Sequence, residues 1–394
     1  MKKIYLLVFS VIMASVMQAQ WTTQMKVTNQ NLWGLYFLND SLGWVVGDSG
    51  TVLISTNGGT TWTHATTPSG TSMRLRDVVF TDQNTGYIVG EYKALKSTDG
   101  GNTWFWLPSD GSEAVAAVGT KLAYINTADV VVSSDQGATL TQIPGTTVSV
   151  NQNLLRDIDL LDQNTIITCG AVGGVFKSTD FGITWSDVSH STSQNIEMDF
   201  IDANNGWMAT TNGIITKTTD GGSTWTDIDT ISGMSWVYDI SFANASTGFA
   251  VAENSSLMKS TDGGLSWTAE TVSGAASGVA TWRGVHALRP TYAFAVGDNG
   301  YIAKLDLPNG ITKPEKQTFS VSPVPSNGIL QINLPESSDL WTLRIFNLTG
   351  NLLAEKQSGN AVSMTLKLDF PDGLYLIQAT SGEQQYLKKF ILSR

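Results

Sequence analysis

The chain repeats itself, and the repeat restricts the fold more than any other feature. The segment Phe37-Leu-Asn-Asp-Ser-Leu-Gly43-Trp44-Val-Val-Gly47 returns as Phe80-Thr-Asp-Gln-Asn-Thr-Gly86-Tyr87-Ile-Val-Gly90. Aligned on that Phe, equivalents fall at 37, 80, 117, 160, 200, 242 and 287, at intervals of 43, 37, 43, 40, 42 and 45 residues. Sixteen to eighteen residues after six of these anchors comes a second motif: STNGGTTW (55–62), STDGGNTW (97–104), SSDQGATL (133–140), STDFGITW (178–185), TTDGGSTW (218–225) and STDGGLSW (260–267). Within a unit, β-branched and aromatic runs are cut by Gly, Asn and Asp turns. In the first unit this predicts strands near Trp33–Phe37, Gly43–Gly47, Thr51–Ser55 and Trp62–Ala65. Four strands repeated at this period predict a β-propeller.

The count is seven. The seventh unit has no second motif after Lys304, but Trp21-Thr-Thr-Gln matches the strand that follows each motif (Trp62-Thr-His, Trp225-Thr-Asp, Trp267-Thr-Ala). Residues 21–27 are therefore expected to complete the seventh blade and close the ring, which removes open sheet edges. The second motif has a local purpose. Its acid or amide (Asn57, Asp99, Asp135, Asp180, Asp220, Asp262) can accept backbone N–H groups in a tight turn, its glycines permit positive φ, and its Trp (62, 104, 185, 225, 267) packs between blades. The third copy is degenerate, with Leu140 in place of Trp. One acid per separate turn supplies too few oxygens for calcium, so no metal is expected there.

The second motif resembles the Asp box of bacterial-neuraminidase-type (BNR) repeats. The run from Trp44 to Trp62 (WVVGDSGTVLISTNGGTTW) resembles the photosystem II assembly and stability factor family, over residues 21–306. That resemblance implies a seven-bladed propeller acting as a non-enzymatic binding factor. Similar repeats occur in sialidases, xyloglucanases and sortilin-like receptors, so the likeness speaks for fold more than function. Nothing else in the chain points to photosynthesis.

The two ends read differently. Residues 1–19, with Lys2 and Lys3 ahead of an apolar run from Ile4 to Met17 and Ala19 before Gln20, are expected to be a cleaved signal peptide. No later apolar run is long enough to span a membrane, so the mature chain is expected to be exported without a membrane span. Residues 20–306 are the propeller, 307–317 (LPNGITKPEKQ) a linker, and 318–394 a second domain. The propeller carries 13 basic and 27 acidic residues, whereas residues 318–394 carry six of each. Val321-Ser-Pro-Val-Pro325 with Gly328, Leu343-Arg-Ile-Phe-Asn-Leu-Thr-Gly350, Leu368-Asp-Phe-Pro-Asp-Gly-Leu-Tyr375 and Lys388-Lys-Phe-Ile-Leu resemble the C-terminal sorting domain of the type IX secretion system of Bacteroidetes. Val324 departs from the usual Asn. Alternation in these blocks predicts a small antiparallel β-sandwich. The resemblance implies secretion or cell-surface attachment, with the type IX machinery as partner for residues 318–394.

Other classes are excluded by composition. The formal net charge of −11 disfavours duplex nucleic acid. A single cysteine (Cys169) and three scattered histidines (His64, His190, His286) offer no metal site, and no cofactor is implied. Gly47-Asp-Ser-Gly50 resembles a nucleophile loop, but Gly297-Asp-Asn-Gly300 fills the same repeat position without a serine, so a hairpin turn is the reading. Trp106 is a further aromatic that could join a binding face or pack inside.

The candidate site is a ring. In propellers of this kind the first strand of each blade starts at one mouth of the central channel, and those starts are Trp33, Arg76, Glu113, Arg156, Ile196, Tyr238 and Arg283. Arg74, Trp236 and Trp282 are neighbours. Four of the propeller's five arginines fall in this set. Arginine with Trp and Tyr suits a protein or glycan ligand, through bidentate pairing and flat contact surfaces. The bland reading is that the arginines satisfy carboxylates such as Asp77, Asp157 and Asp239. An alternative reading is a sialidase-type glycosidase with Arg76, Arg156 and Arg283 around a substrate carboxylate and Tyr238 with Glu113 as reactive groups. Sialidases have six blades, however, and the chain has no early Arg-Ile-Pro. The expectation is a non-enzymatic protein- or glycan-binding propeller.

Overall fold

The structure is a computed structural model. It describes residues 20–393 except for segments 69–71, 112, 127–128, 145–154, 191–192, 275–280, 307–319, 323–325, 327, 335–339, 348–350, 358–362 and 382–383. The signal segment, the linker and the Pro-containing part of the first C-terminal block lie outside the described residues. The chain divides into two compact units, Met1–Pro308 and Asn309–Arg394.

The first unit is a ring of seven antiparallel sheets. Blade one consists of Leu32–Phe37, Gly43–Gly47, Val52–Ser55 and Thr63–His64, within a residue or two of the strands expected from the repeat. Blades two to six follow in the same order, with innermost strands Leu75–Phe80, Val115–Val118, Leu155–Leu160, Asn195–Phe200 and Val237–Phe242. Blade seven uses Trp282–Arg289, Tyr292–Gly297 and Ile302–Asp306, and takes its fourth strand from the N-terminus. Gln20–Thr23 pairs antiparallel with that third strand, Gln20 opposite Asp306. This closing strand stops at Thr23, short of residue 27. On its other side Val272–Ser273 adds a fifth, parallel strand that the repeat did not foretell.

Seven apolar clusters hold the ring, each straddling one seam between neighbouring blades, the seam of blades seven and one included. The repeat explains their chemistry. An aromatic on a second strand stacks face to face on the anchor Phe of the next blade: Trp44 on Phe80 at 3.5 Å, Trp207 on Phe242 at 3.7 Å and Phe294 on Phe37 at 4.0 Å between ring centroids. The motif Trp then meets the anchor edge-on, as in Phe37–Trp62 and Phe80–Trp104, both at 5.8 Å. Blade three breaks the pattern, with Ala117 and Leu140 at these positions. Ala117 and Leu140 pack against the cluster of blades two and three, and Phe181 and Trp185 of blade four against that of blades three and four.

Each motif is a closed turn. Asp220 Oδ1 accepts the Thr224 backbone N–H at 2.9 Å and the Thr218 hydroxyl at 2.8 Å, while Oδ2 takes the Thr224 hydroxyl at 2.6 Å. Asp99, Asp135, Asp180 and Asp262 repeat the arrangement, and Asn57 accepts the Thr61 N–H in the first copy. These turns lie at the face opposite the strand starts.

The second unit is a β-sandwich. A three-stranded sheet (Ser320–Ser322, Ile329–Asn333, Ser363–Lys367) covers a four-stranded one (Thr342–Phe346, Leu352–Gln357, Gly373–Ser381, Gln384–Leu392). Leu330, Ile332, Trp341, Leu343, Ile345, Ile377 and Phe390 fill the space between.

Candidate functional site

The ring residues owe their position to a backbone irregularity. In blade one Leu32 pairs with Gly47 and Gly34 with Val46, leaving Trp33 as the extra residue of a β-bulge. The same shift isolates Arg76, Arg156, Ile196, Tyr238 and Arg283. Six of the seven strand starts are thus bulge residues, and a bulge re-aims its side chain away from the ladder. Glu113, the seventh, precedes its strand. All seven line one cavity of about 250 Å³ at the mouth, with Gln194, Glu197 and Trp236.

Pairing within the mouth is dense. Arg283 makes a bidentate contact with Asp298 at 3.0 and 3.2 Å. Arg76 Nη1 lies 2.9 Å from Glu113 Oε2, and Arg74 Nε lies 3.1 Å from Asp48 Oδ1, which also accepts the Trp33 indole N–H at 2.8 Å. The Arg74 and Arg283 guanidinium carbons stand 4.3 and 4.7 Å from the Trp33 ring centroid. Trp33 is therefore engaged by cations. Arg156 differs: its Nη1 is 3.8 Å from Glu113, and its buried Nε has no partner among the described residues.

Several expectations change here. Trp282 is buried in the seam of blades six and seven (3% exposed), because it precedes the bulge and points into the core. Arg74 sits beside the cavity and does not line it. Trp106 and Phe105 are exposed on the outermost strand of blade two, far along the sheet from the mouth. Trp236, 42% exposed, is the open aromatic of the set. The arginines do not satisfy Asp77, Asp157 and Asp239. Their partners are Glu113, for Arg76, and Asp48 and Asp298, set aside in sequence as turn residues, for Arg74 and Arg283. The signal was there: Gly-Asp-x-Gly occurs in blades one and seven, the blades that carry Trp33 and Arg283.

Below the mouth lies a bore of about 350 Å³, lined by Asp77, Asp157, Asp159, Glu197, Asp199 and Asp239 with Tyr36, Ser241 and His286. Four of these carboxyls, those of Asp77, Asp157, Asp199 and Asp239, lace the blades together. Asp77 accepts the N–H groups of Val78 at 2.7 Å and, across the seam, Val115 at 2.8 Å. Asp157 reaches Ile158 and Met198, both at 2.7 Å, and Asp239 reaches Ile240 and Val285, both at 2.6 Å. At the two seams of blade one, glycine replaces the acid. A Cβ on Gly34 would lie 2.4 Å from the Arg76 carbonyl oxygen and one on Gly284 2.7 Å from that of Trp33, so backbones meet there directly. Burial raises the bore acids: Asp77 to about 6, Asp157 and Asp199 to about 7, and Asp159, Glu197 and Asp239 well above the ordinary range. Burial likewise lowers His286 to about 4.

The chain is thus a seven-bladed β-propeller with a polar, bulge-built mouth, joined to a small β-sandwich. Residues 13–141 match the family model of the photosynthesis system II assembly factor YCF48, and residues 320–393 match that of the secretion system C-terminal sorting domain, so both resemblances drawn from the motifs are borne out. Among solved structures, YCF48 bound to D1 peptide is 20% identical with a TM-score of 0.60, covering 73% of this chain and 96% of that one. YCF48 from Cyanidioschyzon merolae is 20% identical with a TM-score of 0.61, covering 73% and 99%. Virginiamycin B lyase from Staphylococcus aureus is 11% identical with a TM-score of 0.62, covering 74% and 100%. At these identities the likeness establishes the propeller fold alone. No curated protein matches the chain in sequence.

Proposed function

We propose that the chain is an exported, non-catalytic recognition protein that binds a protein partner at the bulge-built mouth of its propeller and leaves the cell through the type IX system by means of its sandwich. One observation carries the reading: six innermost strands each place their extra residue at the same mouth, around one cavity. A core has no need of that arrangement. The similar structure of YCF48 bound to D1 peptide supports a protein ligand, and the sorting-domain match supports export. A glycosidase fits the pairing less well, since Arg76 and Arg283 already hold Glu113 and Asp298, and Tyr238 lies against Arg283, 5.3 Å from its ring centroid.

The test uses the full chain against proteins of the exporting cell's surface, beside a fluorogenic glycoside panel that includes sialosides. A salt-sensitive protein complex weakened about tenfold or more by Arg156→Ala with Trp236→Ala is expected, the loss of one charged hydrogen bond and one aromatic contact. Glycoside hydrolysis abolished by the same pair would replace this reading with the enzymatic one.

A further inference from the structure

The seam of blades three and four departs from the repeat on both of its sides. In blades two, four, five, six and seven the third strand sets a lysine opposite the second-strand residue that faces the next blade. These pairs are Lys96 with Tyr87, Lys177 with Ile167, Lys217 with Trp207, Lys259 with Phe249 and Lys304 with Phe294. Two of the lysines are hydrogen-bonded into the next blade's repeated turn: Lys96 Nζ donates to the Gln136 carbonyl at 2.7 Å and Lys177 Nζ to the Ser223 hydroxyl at 3.0 Å. Blade three has Val132 opposite Ala123 instead, and blade four has Leu160 in place of the anchor Phe. A lysine and a stacked aromatic pair thus give way to smaller side chains, and the apolar cluster of this seam includes Ala114, Ala116 and Ala123.

Beside Val132 lies a cavity of about 500 Å³, at the turns on the face opposite the mouth. Val132 and Ile143 of blade three and Phe181 and Ile183 of blade four give it apolar walls, and Ile183 is 77% exposed. Phe181 stands where other copies of the turn have Gly58, Gly100, Gly221 and Gly263, and it shares their left-handed backbone at φ 56°. A bulky side chain keeps that conformation only where its surroundings hold it there. Lys121 completes the lining, its Nζ 4.1 Å from the Phe181 ring centroid, and it has no hydrogen-bonding or carboxylate partner among the described residues. Asp180, the acid of the lining, has its oxygens committed to the Ser178 hydroxyl and to the N–H and hydroxyl of Thr184.

We propose that this seam is a second binding site, for a small aromatic carboxylate whose ring lies against Phe181, Ile143 and Val132 and whose carboxylate pairs with Lys121. The ligand's chemistry follows from the lining. A cavity of this size with apolar walls and a few polar groups suits a compact organic molecule. In a domain of 13 basic and 27 acidic residues, a lysine without an anionic partner selects for one negative charge on that molecule. Loss of the repeat's large side chains alone would let the seam close to the usual packing density. Here Phe181 is instead held as a wall of an open cavity, in a conformation that glycine supplies elsewhere. The site lies on the other face of the ring and does not depend on the mouth being a recognition surface.

Calorimetry on the full chain with 2-naphthoate and its neutral amide, 2-naphthamide, tests the site. One equivalent of 2-naphthoate should bind, at least tenfold more tightly than the amide, and added salt should narrow that gap. Lys121→Met should bring the acid down to the affinity of the amide. Val132→Lys returns the lysine of the other blades to this seam, fills the cavity and should remove both ligands, whereas Lys217→Met at the seam of blades five and six should leave both unchanged. If Val132→Lys does not fold, Phe181→Gly takes its place: it relieves the backbone, removes a wall and should weaken both ligands at least tenfold. No binding of 2-naphthoate, equal affinity for acid and amide, or binding undiminished in Lys121→Met overturns the site.

Discussion

The propeller holds two sets of aspartates that differ in almost every physical respect. Those of the repeated turns are exposed and receive backbone and hydroxyl hydrogens from residues four positions away, and Asp135 and Asp220 are lowered to about 2. Those of the bore receive backbone hydrogens too, yet burial dominates and they are raised to about 6 or 7. The same side chain closes a turn in one place and joins two blades in the other. Acid strength is set by where the carboxyl sits, and hydrogen bonding alone does not decide it.

The largest test of that contrast removes one member of each set. Asp77→Ala orphans the N–H groups of Val78 and Val115 and should cost about 2–4 kcal/mol, two buried donors at about 1–2 each. Asp220→Ala should cost about 0.5–2 kcal/mol, as for a lost cap, because water replaces it. Denaturant midpoints of the propeller transition read the difference, and equal losses would erase the distinction. Smaller is the dependence on pH. A bore acid raised in the folded state stabilises below its unfolded value near 4, and that contribution is lost as pH rises through about 6 and 7. The turn acids act in the opposite sense, their contribution disappearing as pH falls from about 4 toward 2. The thermal midpoint should therefore drop between pH 5 and 8. Asp159 feels the charges of Asp157, Asp199 and Asp77 without a side-chain hydrogen bond among the described residues, so Asp159→Asn should raise the midpoint at pH 8 more than at pH 5. A flat profile, or equal shifts, would contradict the bore chemistry. Smallest of all, Asn57→Asp restores the turn acid of the first copy. Because Asn57 already accepts the Thr61 N–H, a change within about 0.5 kcal/mol is expected, measured by the same midpoint.

Most of the fold was legible because the repeat exposes it seven times, and errors in one copy are corrected by the others. Even the closing strand showed itself through Trp21. The mouth was legible only as a position. Trp282 and Arg283 are adjacent letters, but the bulge between them turns one inward and the other outward, and no composition signals a bulge. The partners of the arginines were missed for a related reason. Asp48 and Asp298 belong to turns that a repeat explains by themselves, while Asp48 also reaches Arg74 beside the next blade and Asp298 also holds Arg283 of its own. The bore acids looked like natural arginine partners until their oxygens were found committed to backbone N–H groups across the seams.

The pairing of Gln20–Thr23 with Ile302–Asp306 has a consequence in time. The first strand of the ring to be made must wait for nearly the last before it has a neighbour. Until then six sheets form an arc with an unfinished seventh, and its edge is open to other chains. Closing a loop of that span is slow, since its ends must find each other over almost the whole domain. The ring is thus a clasp fastened last, and a chain halted before residue 302 holds every blade but the one that locks the rest.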